Sequence, residues 1–245
     1  MSRDPWPIRA GWALFHPYIA VVDQASAADS SATAVSKTSN GLDVGVFIRR
    51  LVTPPARSCL QLYTDDKVSS NPTIVAADGD RLLIHTAVPV RGRPLWSHRQ
   101  NFFVFKADPD FPWMQPLPPP PRWSASCQDT RIACSGGEGF VVANFRTCRV
   151  VIDRATMREG EAAVLRIYRS ATEERETKNL EMHYDPEKGL VEYKWTTDAV
   201  FSVRGFVCWV DYHLGILYCD VFSPDPDLAF RPFPGIDTSA VDVLT

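Results

Sequence analysis

Apolar residues in this chain come in short runs, broken about every ten residues by Gly, Pro, Asp or Asn. Nowhere do they keep the spacing of an amphipathic helix for more than a turn or two. The densest run is Gly205–Phe222, GFVCWVDYHLGILYCDVF. Inside it, Phe206–Val210 and Ile216–Val221 are rich in β-branched, aromatic and thiol side chains, with DYHLG at Asp211–Gly215 between them. Two such runs around a turn containing Asp and Gly predict a hairpin of buried strands. Gly215 can take the positive φ that closes the turn, at little steric cost. Gly205 precedes the first strand. Ser223-Pro224-Asp225-Pro226 ends the second, because proline cannot donate to a sheet ladder. A hairpin this apolar needs other strands around it.

The rest of the chain repeats the rhythm. Trp12–Val22 is strand-like, with Pro17 marking an edge or a bend. Residues 23–40 are Ala/Ser/Thr-rich and read as a flexible loop. Val44–Leu51 and Ser58–Tyr63 follow as strands, and Thr73–Ala76 and Arg81–Val88 flank Asp78-Gly79, a strong hairpin signal. After Phe102–Lys106 comes a proline-rich connector, 109–123. Arg131–Ala133 and Phe140–Asn144 flank the turn Ser135–Gly139, and Arg149–Ile152 and Ala163–Tyr168 precede a charged stretch, Ser170–Lys178. Leu180–Tyr184 and Leu190–Trp195 flank a turn at Asp185–Gly189, and Val200–Val203 leads into the dense hairpin. Many short antiparallel strands without helical periodicity predict an all-β chain: a sandwich, a barrel, or a propeller built from blades of about 40–50 residues. No strict repeat is visible, and 1–245 is expected as a single β-rich domain. A propeller that is only partial leaves strand edges open for pairing.

Composition narrows the function classes. Hydrophobic residues make up 45% of the 245, ample for a large core, and the net charge of −3 indicates neither a polyanion binder nor an acidic disordered chain. No apolar run approaches the ~20 residues of a membrane span, and no apolar leader opens the chain. Six cysteines without a regular framework are expected as reduced thiols, which favours the cytoplasm, with nucleus and organelles left open. No cofactor, nucleic acid or membrane is expected as a partner.

Candidate chemistry is sparse. Cys127, Cys134 and Cys148 with His85 or His98 offer four zinc ligands, but their spacing fits no C-x2-C pattern, and no metal is expected. Cys208 and Cys219 face each other across the predicted hairpin and are expected as two core thiols. Cys219-Asp220 with His213 suggests a Cys/His nucleophile, yet a cysteine in an apolar run should have a raised pKa, the wrong direction for a thiolate. SGGEG at Ser135–Gly139 lacks the Lys-Ser/Thr of a phosphate-binding loop and reads as a turn. Asp211 and Asp220 could pair as acid and base, but a carboxylate in a turn more often accepts backbone N–H groups. Arg91, Arg93, His98 and Arg99 surround Trp96, a weak base-stacking cluster. Pro116–Pro121 could offer polyproline II to a partner; a stiff connector is the simpler account.

The string WVDYHLGILYCDVF, followed by Pro and then LAFRPFPG, resembles the signature of a plant family much expanded in grasses, known as domain of unknown function 1618. The matching positions are Trp209, Val210, Asp211, Gly215, Ile216, Leu217, Cys219, Asp220 and Val221, then Phe230, Arg231 and Pro232. The turn departs from the family's usual Leu-Trp-Arg-Gly, having Tyr212-His213-Leu214-Gly215, without the Arg. Weaker echoes lie at Trp12–Leu14, Thr38–Gly41, Asn101–Phe105 and Phe140–Ala143. Family members are typically longer, so the resemblance implies a short or truncated member. It also implies a β-rich fold, no established enzyme activity, and an association with stress responses and hybrid incompatibility. Two function classes follow. The first is a non-enzymatic protein–protein interaction module working through strand edges and loops, with another protein or a second copy of itself (a homodimer) as partner. The second is a hydrolase-like enzyme with dispersed active-site residues.

Overall fold

The structure, a computed structural model, describes residues 13–23, 33–50, 52, 54–64, 71–88, 90, 98–106, 108, 111–119, 127–153, 158–181 and 195–235. Among these residues the chain is all-β, with 17 strands in four sheets and no helix. The strand pattern suggested no boundary within 1–245, whereas the folded chain divides into two compact units, Met1–Ala125 and Ser126–Thr245.

In the first unit, β3 (Thr33–Lys37), β4 (Asp43–Arg50) and β5 (Arg57–Thr64) form an antiparallel meander. Two short strands, β1 (Leu14–Phe15) and β2 (Ala20–Val21), lie parallel along the outer edge of β5, separated by a bend at Pro17. The second sheet is a four-stranded meander of β6 (Thr73–Asp78), β7 (Arg81–Val88), β8 (Arg99–Lys106) and β9 (Trp113–Pro116). The Asp78-Gly79 turn closes its first hairpin, with Gly79 at φ +58°. Val46, Leu60 and Leu62 of one sheet meet Ile84, Phe103 and Phe105 of the other in a shared core. A bridge between Tyr18 and Thr73, flanked by Ile19 N–H to Pro72 O and Ile74 N–H to Pro17 O, stitches the two sheets at one edge.

Two expectations need correction here. Part of the expected loop at 23–40 is β3, whose Ala34 and Ser36 lie opposite the core residues Val46 and Val44, with Ala34 buried; residues 24–32 lie outside the described residues. Part of the expected connector at 109–123 is β9, which buries Met114 against the core. Its Pro116 is tolerated because β9 pairs on one side only and ends there.

The second unit holds two four-stranded meanders. The first comprises β10 (Thr130–Cys134), β11 (Phe140–Asp153), β12 (Arg158–Arg169) and β13 (Glu174–Glu181). The second comprises β14 (Ala199–Val203), β15 (Phe206–Asp211), β16 (Gly215–Asp220) and β17 (Leu228–Pro232). The charged stretch at 170–178 contributes most of β13, an outer strand whose charges hinder further pairing. The expected turn at Asp185–Gly189 lies outside the described residues. Phe145, Leu165 and Ile167 from the first meander pack with Val207, Trp209 and Leu217 from the second. Arginines pin the two sheets together through backbone carbonyls: Arg131 Nε donates to Val200 O at 2.7 Å, and Arg169 donates to Val221 O at 2.7 Å and Ser223 O at 2.8 Å.

Candidate functional site

The expected hairpin is β15–β16, and its register sorts the signature residues onto two faces. Trp209 stands opposite Val200 on one side and Leu217 on the other, and Leu217 opposite Phe230. Because partners across a ladder share a face and neighbours along a strand do not, Val207, Trp209, Leu217 and Cys219 all point into the core. The Trp209 side chain is completely buried. Its ring centroid lies 5.3 Å from that of Phe145, and its indole N–H donates to Asp129 O at 3.0 Å. Trp195 meets Phe145 and Phe230 edge-on, each with centroids 6.4 Å apart.

Asp211 and Gly215 set the turn. Asp211 is buried; one carboxylate oxygen accepts the His213 N–H at 2.9 Å and the other the Thr196 N–H at 3.0 Å. Both oxygens therefore hold backbone. Gly215 has φ +153°, and a Cβ there would lie 2.3 Å from Arg231 O, so β17 passes too close for any side chain. Asp220 accepts the Phe222 N–H at 3.0 Å, fixing the chain as it leaves β16.

The thiol chemistry runs against nucleophilic catalysis. Burial, reinforced by the carboxylates of Asp220 and Asp227, pushes the Cys219 thiol up to about 12, against the smaller opposing pull of Lys178 and Arg169. Burial also raises Cys208, and raises Cys127 to about 11. His213 sits in the turn before β16 and Cys219 near its far end, so the strand holds them apart by about 13 Å. Cys208 and Cys219 do not face each other as expected. Cys208 pairs with Tyr218 and Cys219 with Val207, so the two thiols are on opposite faces, and both are free.

The other candidates disperse. His85 bonds to Gln100, its ring centroid is 4.9 Å from that of Phe102, and burial lowers its pKa. Among the described residues no group of three or more His, Cys, Asp or Glu gathers that could hold a metal ion. The side chain of Cys148 lies outside the described residues, as do Arg91, Arg93 and Trp96. Arg99 donates to Ser39 O at 3.2 Å. Ser135–Gly139 links β10 to β11 through a bend with Gly136 at φ +79°. Leu117 of the proline run is buried, with its N–H bonded to Phe102 O at 2.8 Å, while Pro120 and Pro121 lie outside the described residues. No described helix is long and apolar enough to cross a membrane.

One feature went unpredicted. On the face of β14–β17 turned away from the core, the rows are Val203–Phe206–Asp220, Phe201–Cys208–Tyr218–Ala229 and Ala199–Val210–Ile216–Arg231. At its corner Phe201, Val203 and Phe206 are exposed at 43%, 47% and 38%, and the Phe206 and Tyr218 rings lie 6.2 Å apart. The sequence signal was present, since Phe206–Val210 is apolar at both odd and even positions, whereas a strand with one wet face alternates. No protein-family model, curated protein or solved structure matches the chain.

Proposed function

We propose that this chain is a non-enzymatic protein–protein interaction module that binds through the outer face of β14–β17. The observation carrying the proposal is the contiguous exposed group Phe201, Val203 and Phe206, backed by apolar Cys208 and Tyr218; patches of this kind mark interaction sites. The signature residues support it by what they do: Trp209, Leu217 and Cys219 fill the core, and Asp211, Gly215 and Asp220 shape the chain around that face. The face is a better surface than the strand edges, because β13 carries charges and β17 ends in proline. On the family resemblance we place the module in the cytoplasm of a grass, in stress response or hybrid incompatibility. Val203→Glu tests the binding surface. In samples dilute enough to keep the chain monomeric it should leave the thermal midpoint within a degree or so of wild type, and it should abolish partner binding measured by surface plasmon resonance. A partner held by the variant at wild-type affinity would sink the proposal.

A further inference from the structure

Resting on that reading, we infer that the occupant of the β14–β17 outer face is the same face of a second copy of this chain. An isologous interface has to be complementary to itself under a two-fold rotation. This face meets the condition in charge and in shape. Phe206 pairs with Asp220 at one end, and Ile216 pairs with Arg231 at the other. An exposed acid and an exposed base therefore stand about 13 Å apart along the strands, with the Phe201–Cys208–Tyr218–Ala229 row between them. A two-fold axis in the plane of the face and perpendicular to its strands lays Asp220 of one copy over Ile216 of the second, beside Arg231. The rotation makes this contact twice.

The same axis runs along the middle row, so Phe201 and Tyr218 meet their own counterparts on either side of Cys208, which is recessed and buried between them. It also sets Val203 over Ala199 and Phe206 over the recess floored by the buried Val210, large residues against smaller ones. Such alternation lets two sheet faces interdigitate in a sandwich. Strands of the two copies run within the small angle that aligned sheets adopt. A partner of different sequence could use the apolar corner alone; the placement of Asp220 and Arg231 at opposite ends is what selects a second copy.

Light scattering on a size-exclusion column, with the whole chain over a concentration series, reads the association directly. Wild type is expected to be dimeric at about 10 μM, Phe201→Glu monomeric, and Arg231→Glu weakened by about tenfold or more in dissociation constant. Adding Asp220→Lys to Arg231→Glu reverses both charges and should restore the dimer, which a merely structural role for either residue would not do. Circular dichroism melting confirms that each variant is folded. Failure of the reversal to restore the dimer overturns the inferred geometry. A monomeric wild type that still binds an apolar dye at Phe201 overturns the second-copy occupant and leaves the face as a binding surface. A wild type that neither dimerises nor binds the dye overturns both. A dimer unaffected by Phe201→Glu places the contact elsewhere and also overturns the inference.

Discussion

The two faces of β14–β17 are built from the same kinds of residue and do opposite work. Inward, Trp209, Val207, Leu217 and Cys219 are closed into a core with Phe145 and Leu165. Outward, Phe201, Val203 and Phe206 have similar apolar character and stand open. Residue type does not separate the two sets; register does, since a shift of one residue would exchange them. The turn fixes that register, through Asp211 and Gly215 at one end of the hairpin and the Arg204-Gly205 turn at the other, where both residues have positive φ. A stability measurement and an association measurement should therefore respond to different halves of one hairpin.

The inner face should show the largest effects. Trp209→Ala removes a wholly buried indole with its ring contact and its hydrogen bond to Asp129, and should cost about 3–5 kcal/mol in urea denaturation. A cost below about 1 kcal/mol would mean that this face is not the core. Asp211→Ala comes next. It strips two backbone N–H groups, at Thr196 and His213, of their acceptor and should cost about 2 kcal/mol, while Asp211→Asn, which keeps one acceptor oxygen, should cost less.

A thiol gives a smaller effect that depends on pH. Cys219 titrates near 12 in the folded chain against an ordinary value of 9.0, chiefly because it is buried. The unfolded chain loses that proton first, so the thiol's contribution is intact below about pH 9 and declines as pH rises toward the folded value. Cys219→Val removes this dependence, and the alkaline loss of stability should shrink by about 1 kcal/mol at about pH 10. An unchanged alkaline limb would show that Cys219 ionises freely and that the inner face admits water.

Much of the fold was legible because turn chemistry is local. Asp78-Gly79 and Asp211–Gly215 mark their hairpins directly, and short apolar runs without helical period reveal an all-β chain. What escaped depends on partners far away in sequence. Thr33–Lys37 and Glu174–Glu181 have too few large apolar residues to announce a strand, yet each completes a sheet because β4 and β12 offer it a ladder. The opposed faces of Cys208 and Cys219 depend on a register that spacing alone leaves open by one residue. The candidate site escaped for a related reason: the sequence shows that Phe201 and Val203 are apolar, but only the sheet shows that they share a face with Phe206 and that this face is wet.

The smallest effect on folding should come from that outer corner. Phe201→Thr replaces one good strand former, an aromatic, with another, a β-branched residue, and Phe201 is already 43% exposed, so little burial is lost. At concentrations low enough to keep the chain monomeric, its unfolding free energy should stay within about 0.5 kcal/mol of wild type. As concentration rises, wild type should gain stability by mass action while the variant does not, because association at this face stabilises only the folded state. Denaturation curves at two concentrations thus separate the faces. Trp209→Ala lowers the curve at both, and Phe201→Thr removes only the difference between them. If Phe201→Thr instead cost as much as Trp209→Ala in the dilute sample, the outer residues would be core as well, and the contrast between the two faces would not hold.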